Sequence, residues 1–296
     1  MVDLELMDEL DLLRSCCRES FWFFVQEFWE EVPGAGTMIA NWHMQVIASE
    51  LQAVAERIFC NEPKQADVVF NISPGTSKST LCSILFQPWT WTRMPTMRHL
   101  NASHTDALVL DLANKARFVI KSEKYRHLFP EIELLDTQDA KGYFRNTLGG
   151  DRLTCTVSGK SPMGFHAHAL MVDDPIDPRS VLSDLELKSA ADFFTDVLPT
   201  RKVDKEVSVT FLIMQRLRGG DPTDVMLERA KQEGAAKVKH YCLPAELADN
   251  VSPPELRQYY VDGLMDPVRL SRQVLREYKA NGLYSYSGQF MQSPVP

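Results

Sequence analysis

The chain has 296 residues, a formal net charge of −8 at pH 7, 44% hydrophobic residues and six cysteines. This length suits one large domain with a small appendage, and the composition is typical of a soluble globular protein. The acidic balance excludes a protein that coats nucleic acid through bulk positive charge, so any DNA contact must be local. The scattered cysteines argue against a zinc site, and no apolar run is long enough to cross a membrane.

The N-terminal part of the sequence has helical patterns. Residues 3–31 alternate acidic and apolar residues at helical spacing, which predicts one or two amphipathic helices with an aromatic cluster. Residues 32–36 (Val-Pro-Gly-Ala-Gly) end this segment, and residues 42–59 predict a further helix. A turn at 61–64 precedes the first predicted strand at 67–72.

Short apolar strands and helices then alternate along the chain. The predicted helices cover 79–86, with an end near Pro88, 105–129 and 182–197. The further predicted strands are 99–103, 151–157, 168–172 and 207–214. This alternation predicts a parallel sheet covered by helices on both faces, whose ligands bind at the carboxyl ends of the strands.

The loop at residues 73–80 (Ser-Pro-Gly-Thr-Ser-Lys-Ser-Thr) follows the first predicted strand and leads into a helix. This layout suits a nucleoside triphosphate, because backbone N–H groups surround the phosphates, Lys78 reaches the terminal pair and the Ser79 hydroxyl holds Mg²⁺. Ile72 and Ser77 stand where the standard pattern has its two glycines. On the loop alone, an exposed helix start is therefore an equal alternative.

Asp173 and Asp174 follow the apolar strand at 168–172 and precede Pro175. Two adjacent carboxylates repel each other, and a Mg²⁺ ion offsets that repulsion. One acid can then hold the metal while its neighbour polarises the attacking water. The alternative is a helix N-cap, since Asp-Pro often begins a helix.

Two further pairs of polar residues fit the same hypothesis. Gln215 and Arg216 end the strand at 207–214, where an amide can sense a terminal phosphate and a guanidinium can pair with an anion. The alternative is an ordinary strand end with solvated charges. Upstream of the loop, Trp42 and Gln45 offer an aromatic face and an amide for adenine, although such residues on an amphipathic helix are more often core and surface.

In this order the motifs resemble the large terminase subunit of tailed bacteriophages. The resemblance spans residues 38–296 and depends on the ordered set rather than on any one motif. The segments that carry it are 74–79, 164–168 leading into Asp173-Asp174-Pro175, 213–217, 241–246 and 284–294. The fourth resembles the strand after the family's coupling motif, and the last resembles the segment that joins its ATPase to its nuclease.

The resemblance implies a P-loop NTPase of the additional-strand class, with a mostly parallel central sheet covered by helices on both faces. It divides the chain into an N-terminal helical segment (1–37), an ATPase core (38–245) and a linker subdomain (246–296). The linker leads to a nuclease domain that is absent from this chain, and no earlier carboxylate cluster fits that role. Nuclease activity is therefore not expected.

The resemblance also implies roles for individual residues. Asp173 resembles the magnesium residue, with Ser79, and Asp174 stands where the family has a catalytic acid, often Glu. Lys78, Gln215 and Arg216 complete the implied catalytic set, the last two in the motif that couples hydrolysis to motion. The residues implied around ATP are Trp42, Gln45, Pro74, Gly75, Thr76, Ser77, Lys78, Ser79 and Thr80.

The implied function is ATP hydrolysis with Mg²⁺ that powers translocation of double-stranded DNA into a preformed capsid. The implied partners are double-stranded DNA, the portal protein, the small terminase subunit and further copies of the chain in a homo-oligomeric ring. The implied location is the host cytoplasm, with no membrane. Basic residues at 201–205, together with Arg216 and Arg218, are either DNA contacts or solvated surface charge.

Two departures from the family leave other hypotheses open. Ser77 replaces the usual glycine before the lysine, and Met163 stands where many relatives carry an arginine that can serve a neighbouring subunit. Candidates to replace that arginine are Arg145, Arg152 and Lys160. The alternative functions are a helicase-like or other P-loop translocase and a catalytically weak nucleotide-binding scaffold.

Overall fold

A computed structural model of the chain describes residues 9–140, 142–159, 162–180 and 183–295. At its centre lies one eight-stranded sheet, with the strand order β3-β4-β5-β2-β6-β7-β1-β8. The strands are β1 Asp67–Ile72, β2 His99–Ser103, β3 Leu134–Asp139, β4 Tyr143–Asn146, β5 Asp151–Thr156, β6 Ala169–Asp173, β7 Val209–Met214 and β8 Val238–Leu243. Every pairing from β5 to β8 is parallel, and β4 is antiparallel to both of its neighbours.

The strand order confirms the additional-strand arrangement. β7 lies between β1, which precedes the loop at 73–79, and β6, which ends at Asp173. Because these strands are parallel, their last residues form one edge of the sheet, here called the carboxyl edge, and their first residues form the opposite amino edge. The register pairs Asp173 with Ile213 and Asn71 with Met214, so all three strands end at similar levels.

The two faces of the sheet carry separate hydrophobic cores. Side chains alternate between the faces along a strand. Accordingly, Val68 and Phe70 of β1 belong to one core and Val69 to the other. In β6 the adjacent residues Leu170 and Met171 divide in the same way. The sheet is therefore covered on both faces, as the apolar strands predicted.

Helices close both cores, α1 to α6 on one face and α7 and α8 on the other. The α-helices are α1 Glu9–Glu19, α2 Phe21–Phe28, α3 Trp42–Phe59, α4 Phe86–Arg93, α5 Asp106–Lys121, α6 Glu123–Leu128, α7 Asp184–Asp192, α8 Pro222–Ala230, α9 Arg272–Asn281 and α10 Leu283–Ser285. Short π-helical or 3₁₀-helical segments are Thr80–Leu85, Phe193–Val197, Leu198–Arg201, Pro254–Tyr259 and Tyr286–Phe290. None of the helices in the described ranges is long and apolar enough to cross a bilayer.

The helix after the loop is longer than predicted. It begins as the π-helical turn Thr80–Leu85 and continues as α4 through Pro88 to Arg93, so the prediction of an end near Pro88 was wrong. In a regular α-helix the proline ring collides with the carbonyl four residues earlier. The wider π turn lies at that point and relieves the collision.

Other boundaries also differ from the prediction. The single helix predicted at 105–129 is divided at Ser122, whose hydroxyl accepts from Tyr125 N at 3.2 Å and caps α6. Strands β3 and β4 and helix α8 were not predicted, because their polar sequences lack a clear apolar period. Residues 3–8 and Leu182, which were included in predicted helices, lie outside the described residues.

The C-terminal segment (residues 286–292) packs against the carboxyl edge. The carbonyl of Phe290 accepts a hydrogen bond from the Ser73 hydroxyl at 3.3 Å. The amide oxygen Oε1 of Gln292 accepts from the backbone N–H of Arg216 at 2.9 Å. The segment therefore contacts both the start of the loop and the residue that follows Gln215.

We expect Gly288→Ala to destabilise this packing. A Cβ at Gly288 would lie 3.0 Å from Arg216 O and 3.2 Å from Leu217 O, both of them rigid backbone atoms. The expected loss is about 1–2 kcal/mol of unfolding free energy, measured by urea denaturation. Gly282→Ala is the matched control, because a Cβ there meets nothing within 4 Å, and it should change stability by less than about 0.5 kcal/mol. Equal effects of the two changes would contradict the prediction.

Candidate nucleotide-binding site

The loop at residues 73–79 leaves β1 at the carboxyl edge. Gly75 has a φ of 74° and Ser77 a φ of 65°, in the left-handed region that glycine adopts readily and serine does not. The Thr76 hydroxyl donates to Ser73 O at 2.8 Å and closes the loop internally. Ser77 thus adopts a left-handed conformation of the kind that glycine favours.

Helix α3 supports this loop through His43, a residue that the sequence analysis did not identify. Its ring Nε2 lies 3.0 Å from Thr76 O, and its side chain is fully buried. Burial lowers the pKa of His43, with the hydrogen bond to Thr76 acting in the opposite direction, so the ring is neutral and donates through Nε2. A lone histidine on an amphipathic helix gives no sequence signal for this contact.

Asp173 ends β6 and is 2% exposed. Its Oδ2 accepts from the Ser83 hydroxyl at 2.7 Å, and its Oδ1 has no hydrogen-bond partner among the described residues. Burial, followed by the charge of Asp174, raises the pKa of Asp173 to about 6. Lys78 and the hydroxyls of Ser83 and Ser79 favour the ionised form. Ser83 lies four residues after Ser79, and this spacing of about one helical turn can be seen in the sequence.

Asp174 is held in a strained backbone conformation. Its φ of 45° lies in the left-handed region. Its N–H donates to Ile213 O at 2.8 Å, and its carbonyl accepts from His104 N at 3.2 Å. Strain of this kind persists where the surroundings fix the residue, and it is common at functional sites. Here it aims the carboxylate of Asp174 toward the loop.

The structure brings five of the predicted site residues together at the carboxyl edge. The Lys78 ammonium is almost completely buried and lies 3.2 Å from Gln215 Oε1 and 3.6 Å from Asp174 Oδ2. Asp173 lies beside this group, and the Ser79 hydroxyl is close enough to lower the pKa of Asp173. Residues at or just after the ends of β1, β6 and β7 thus meet at one point.

The donor set of this site fits Mg²⁺ and a phosphate chain. The Oδ1 atoms of Asp173 and Asp174 are both buried and have no hydrogen-bond partner among the described residues. A buried carboxylate oxygen without a partner is costly, and carboxylate oxygens are the ligands that Mg²⁺ prefers. Lys78 supplies the cation for phosphate. In the described ranges, this site included, no group of three or more His, Cys, Asp and Glu side chains could hold a metal, so any Mg²⁺ here would be held by the two carboxylates together with hydroxyl and phosphate oxygens.

Two solved phage structures are similar to this chain. The HK97 bacteriophage large terminase matches 96% of this chain with a TM-score of 0.57 and 12% identity. The Thermus phage P74-26 large terminase ATPase domain matches 91% of this chain, and 98% of its own, with a TM-score of 0.51 and 9% identity. This chain has the fold of a phage large terminase ATPase domain. It spans 55% of the HK97 protein. No protein-family model and no curated protein sequence matches it.

Within this terminase ATPase fold, Arg216 lies next to the converging group but points away from it. Its Nε donates to Asp221 Oδ2 at 2.8 Å, and its Nη2 donates to Asp224 Oδ1 at 2.7 Å. Asp221 is fully buried and caps α8 through Thr223 N and Asp224 N. Gln215 therefore faces Lys78, while Arg216 fastens the end of β7 to the start of α8.

Trp42 and Gln45 lie on the first turn of α3 rather than in the converging group. The Trp42 indole donates to Met265 O at 2.9 Å and stacks on Tyr259 with ring centroids 5.6 Å apart. Both residues line a surface cavity of about 410 Å³ that Tyr241 also borders. His43, on the same helical turn, contacts the loop at Thr76 O.

Arg152 cannot serve a neighbouring subunit, because it is fully buried in β5. Its Nη1 donates to Ser83 O at 2.8 Å, while its Nε and Nη2 have no partner among the described residues. Burial lowers the pKa of Arg152 to about 9, and the charge of Asp173 acts against this shift. Arg152 thus steadies the turn that holds the Ser83 hydroxyl on Asp173.

The remaining candidates for a residue that acts on a neighbouring subunit are Arg145 and Lys160. Arg145 pairs in register with Asp151, the first residue of β5, and therefore lies toward the amino edge, away from Lys78. Lys160 lies outside the described residues. Met163, where many relatives have arginine, is 83% exposed. That position is thus open to a neighbour but carries no charge here.

The buried charge of Asp173 should cost stability at neutral and alkaline pH. Its pKa is raised from 3.8 to about 6, so the folded chain binds this proton more tightly, and the stabilisation present at low pH is lost as the pH rises through about 6. Asp173→Asn should therefore be more stable than the parent at about pH 8, by about 1–3 kcal/mol, and gain little at about pH 4. Urea unfolding with a chelator present tests this, and a less stable variant at the higher pH would contradict it.

The conformation of Ser77 gives a second prediction. Ser77→Gly removes left-handed strain and should leave stability equal or higher by up to about 1 kcal/mol. Ser77→Val places a β-branched residue in the same conformation and should lose about 1–2 kcal/mol. Thermal or urea unfolding of the pair checks the loop geometry, and the opposite order of stabilities would show that residue 77 does not hold a positive φ.

Proposed function

We propose that this chain hydrolyses ATP with Mg²⁺ and uses the free energy to move double-stranded DNA into a preformed capsid, as the motor domain of a large terminase. The observation that carries the proposal is the convergence of Lys78, Asp173 and Asp174 at the carboxyl edge, where two carboxylate oxygens have no partner among the described residues. The fold similarity to phage large terminases supports the same activity.

Each residue of the site has a separate role in the proposed reaction. Lys78 would exchange its present partners for the terminal phosphates, while backbone N–H groups of residues 74–79 surround them. Asp173 and Ser79 would hold Mg²⁺, which when bound neutralises charge on the phosphates. Asp174 would orient the attacking water and accept its proton. Its shorter side chain, compared with Glu, is aimed by the strained backbone described above.

Gln215 and Arg216 would couple the nucleotide to movement. Gln215 contacts Lys78, so it loses that partner when Lys78 turns to phosphate. Arg216 follows directly in the chain and is tied to Asp221 of α8 and to Gln292. A shift of Gln215 therefore displaces the contacts of α8 and of the C-terminal segment with the end of β7.

The remaining parts of the proposal concern binding and assembly. We propose that Trp42 and Gln45 contact adenine, and that 1–37, 38–245 and 246–296 act as helical segment, ATPase core and linker subdomain. The proposed partners are double-stranded DNA, a portal protein, a small terminase subunit and other copies of the chain in a ring, all in the host cytoplasm. Because Met163 supplies no cation where many relatives carry arginine, full activity in the ring is expected to need a cationic residue from another position of a neighbouring copy.

Asp174→Asn tests the chemistry. Removing the proton acceptor while keeping the side-chain shape should lower ATP turnover about 10²–10⁴-fold and leave ATP binding and the unfolding transition intact. Asp177→Asn is the matched control, because this carboxylate lies in the same loop but pairs with Arg179. Phosphate release should be measured in the assembled state, with DNA and portal present. Unchanged turnover in folded Asp174→Asn would remove Asp174 from the mechanism.

The same preparation separates the alternatives. ATP binding without phosphate release in the assembled protein would identify a catalytically weak scaffold. ATP-dependent strand separation on a forked duplex, without any requirement for a portal, would identify a helicase-like translocase. DNA movement through a portal that is lost in Asp174→Asn and kept in Asp177→Asn would support the packaging motor.

A further inference from the structure

A second polar cavity lies at the amino edge, away from the nucleotide-binding site. It has a volume of about 300 Å³ and is lined at the sheet by Asp67, Thr210 and Val238, which lie in the first two residues of β1, β7 and β8. Phe194 and helix α8 close its other sides. A strand of six residues separates the two edges, so the cavity lies about 15–20 Å from the loop at 73–79.

The cavity carries more positive than negative charge. Its basic lining residues are Lys64, Lys202, Lys205 and Arg229, whereas Asp67 is the one acidic residue among those that line it in the described ranges. Lining charges thus sum to an excess of three positive charges in a chain whose net charge is −8. Because the cavity is positive in a chain that is negative overall, its local electrostatic field attracts anions.

Asp67 cannot neutralise its cationic neighbours. One oxygen, Oδ1, accepts from Lys64 Nζ at 2.7 Å, from Lys202 Nζ at 3.3 Å and from Thr210 N at 2.9 Å. The Lys202 side chain is only 8% exposed, and a buried ammonium that shares its counter-ion is costly. Accordingly, burial lowers the pKa of Lys202 to about 8, although Asp67 acts against the shift.

The other two cations have no carboxylate of their own. Arg229 Nη1 donates to a carbonyl, Phe194 O, at 3.4 Å, and neither Arg229 nor Lys205 forms a salt bridge within the described residues. Both are exposed at the rim, while Lys64 and Lys202 lie deeper. The arrangement combines recessed ammonium groups with a guanidinium at the mouth, which suits a compact anion with several oxygens.

We propose that this cavity binds a compact phosphate-bearing anion. An excess of three charges matches a phosphate ester or pyrophosphate better than a single carboxylate. The recessed position of Lys64 and Lys202 favours a free small molecule over the backbone of a duplex, which is too wide to enter a cavity of this size. The site is separate from the proposed ATP site and does not depend on it.

The test uses inorganic pyrophosphate as the probe and calorimetry as the readout, without Mg²⁺ and at constant ionic strength. Lys78→Ala is present throughout, so that the loop at 73–79 contributes as little as possible. Replacing Lys205 and Arg229 by Gln should weaken binding about tenfold for each charge removed. Lys231→Gln is the matched control, because this exposed lysine on the same helix end pairs with Glu228 outside the cavity, and its affinity should stay within about twofold of the parent.

Each outcome decides the proposal. Pyrophosphate binding that needs Lys205 and Arg229 supports it, and a short DNA duplex that fails to compete identifies a free anion as the ligand. Competition by the duplex would overturn the assignment to a compact free anion and would identify the DNA backbone as the source of the phosphate. Absence of pyrophosphate binding in Lys78→Ala, or binding that the Lys205 and Arg229 changes leave unaltered, would overturn the proposal, whatever the ATPase assay shows.

Discussion

Two adjacent carboxylates, Asp173 buried and Asp174 half-buried, impose the constraint on which the rest of the site depends. Asp173 and Asp174 repel each other, and Lys78 and the buried Arg152 supply positive charge nearby. The Ser83 hydroxyl and the strained backbone of Asp174 fix the two side chains against that repulsion. The helix after the loop, the carboxyl ends of three strands and the buried Arg152 can all be understood as supports for this pair.

The position of β7 explains how the pair communicates with the loop. Neighbouring strands lie about 4.8 Å apart, so β1 and β6, with β7 between them, are separated by about 10 Å. The long side chain of Lys78 crosses that gap, and Gln215 at the end of β7 meets it at 3.2 Å. A shorter or neutral residue at position 78 would leave Gln215 and Asp174 without a common partner. The additional strand thus supplies a polar group beside the ammonium that pairs with Asp174.

The sequence predicted the parts of the site that follow apolar strands, because a buried strand ending in polar residues is a strong local pattern. Lys78, Asp173 and Gln215 were found in this way, as was the parallel sheet covered on both faces. Contacts between distant segments left no such pattern. The hydroxyl of Ser83 on Asp173, and the burial of Arg152 beside it, depend on how the helix after the loop packs across the sheet. The passage of that helix through a proline needed a π turn, which residue preferences do not reveal.

The C-terminal segment is part of the architecture of the site, although it lies more than two hundred residues after the loop. Its Phe290 carbonyl holds the Ser73 hydroxyl, and its Gln292 amide oxygen holds the backbone of Arg216. A recombination junction placed before Phe290 would therefore separate both the loop at 73–79 and Arg216 from these acceptors. Evolution, or an engineer who exchanges domains of this fold, must move this segment together with the sheet that it fastens.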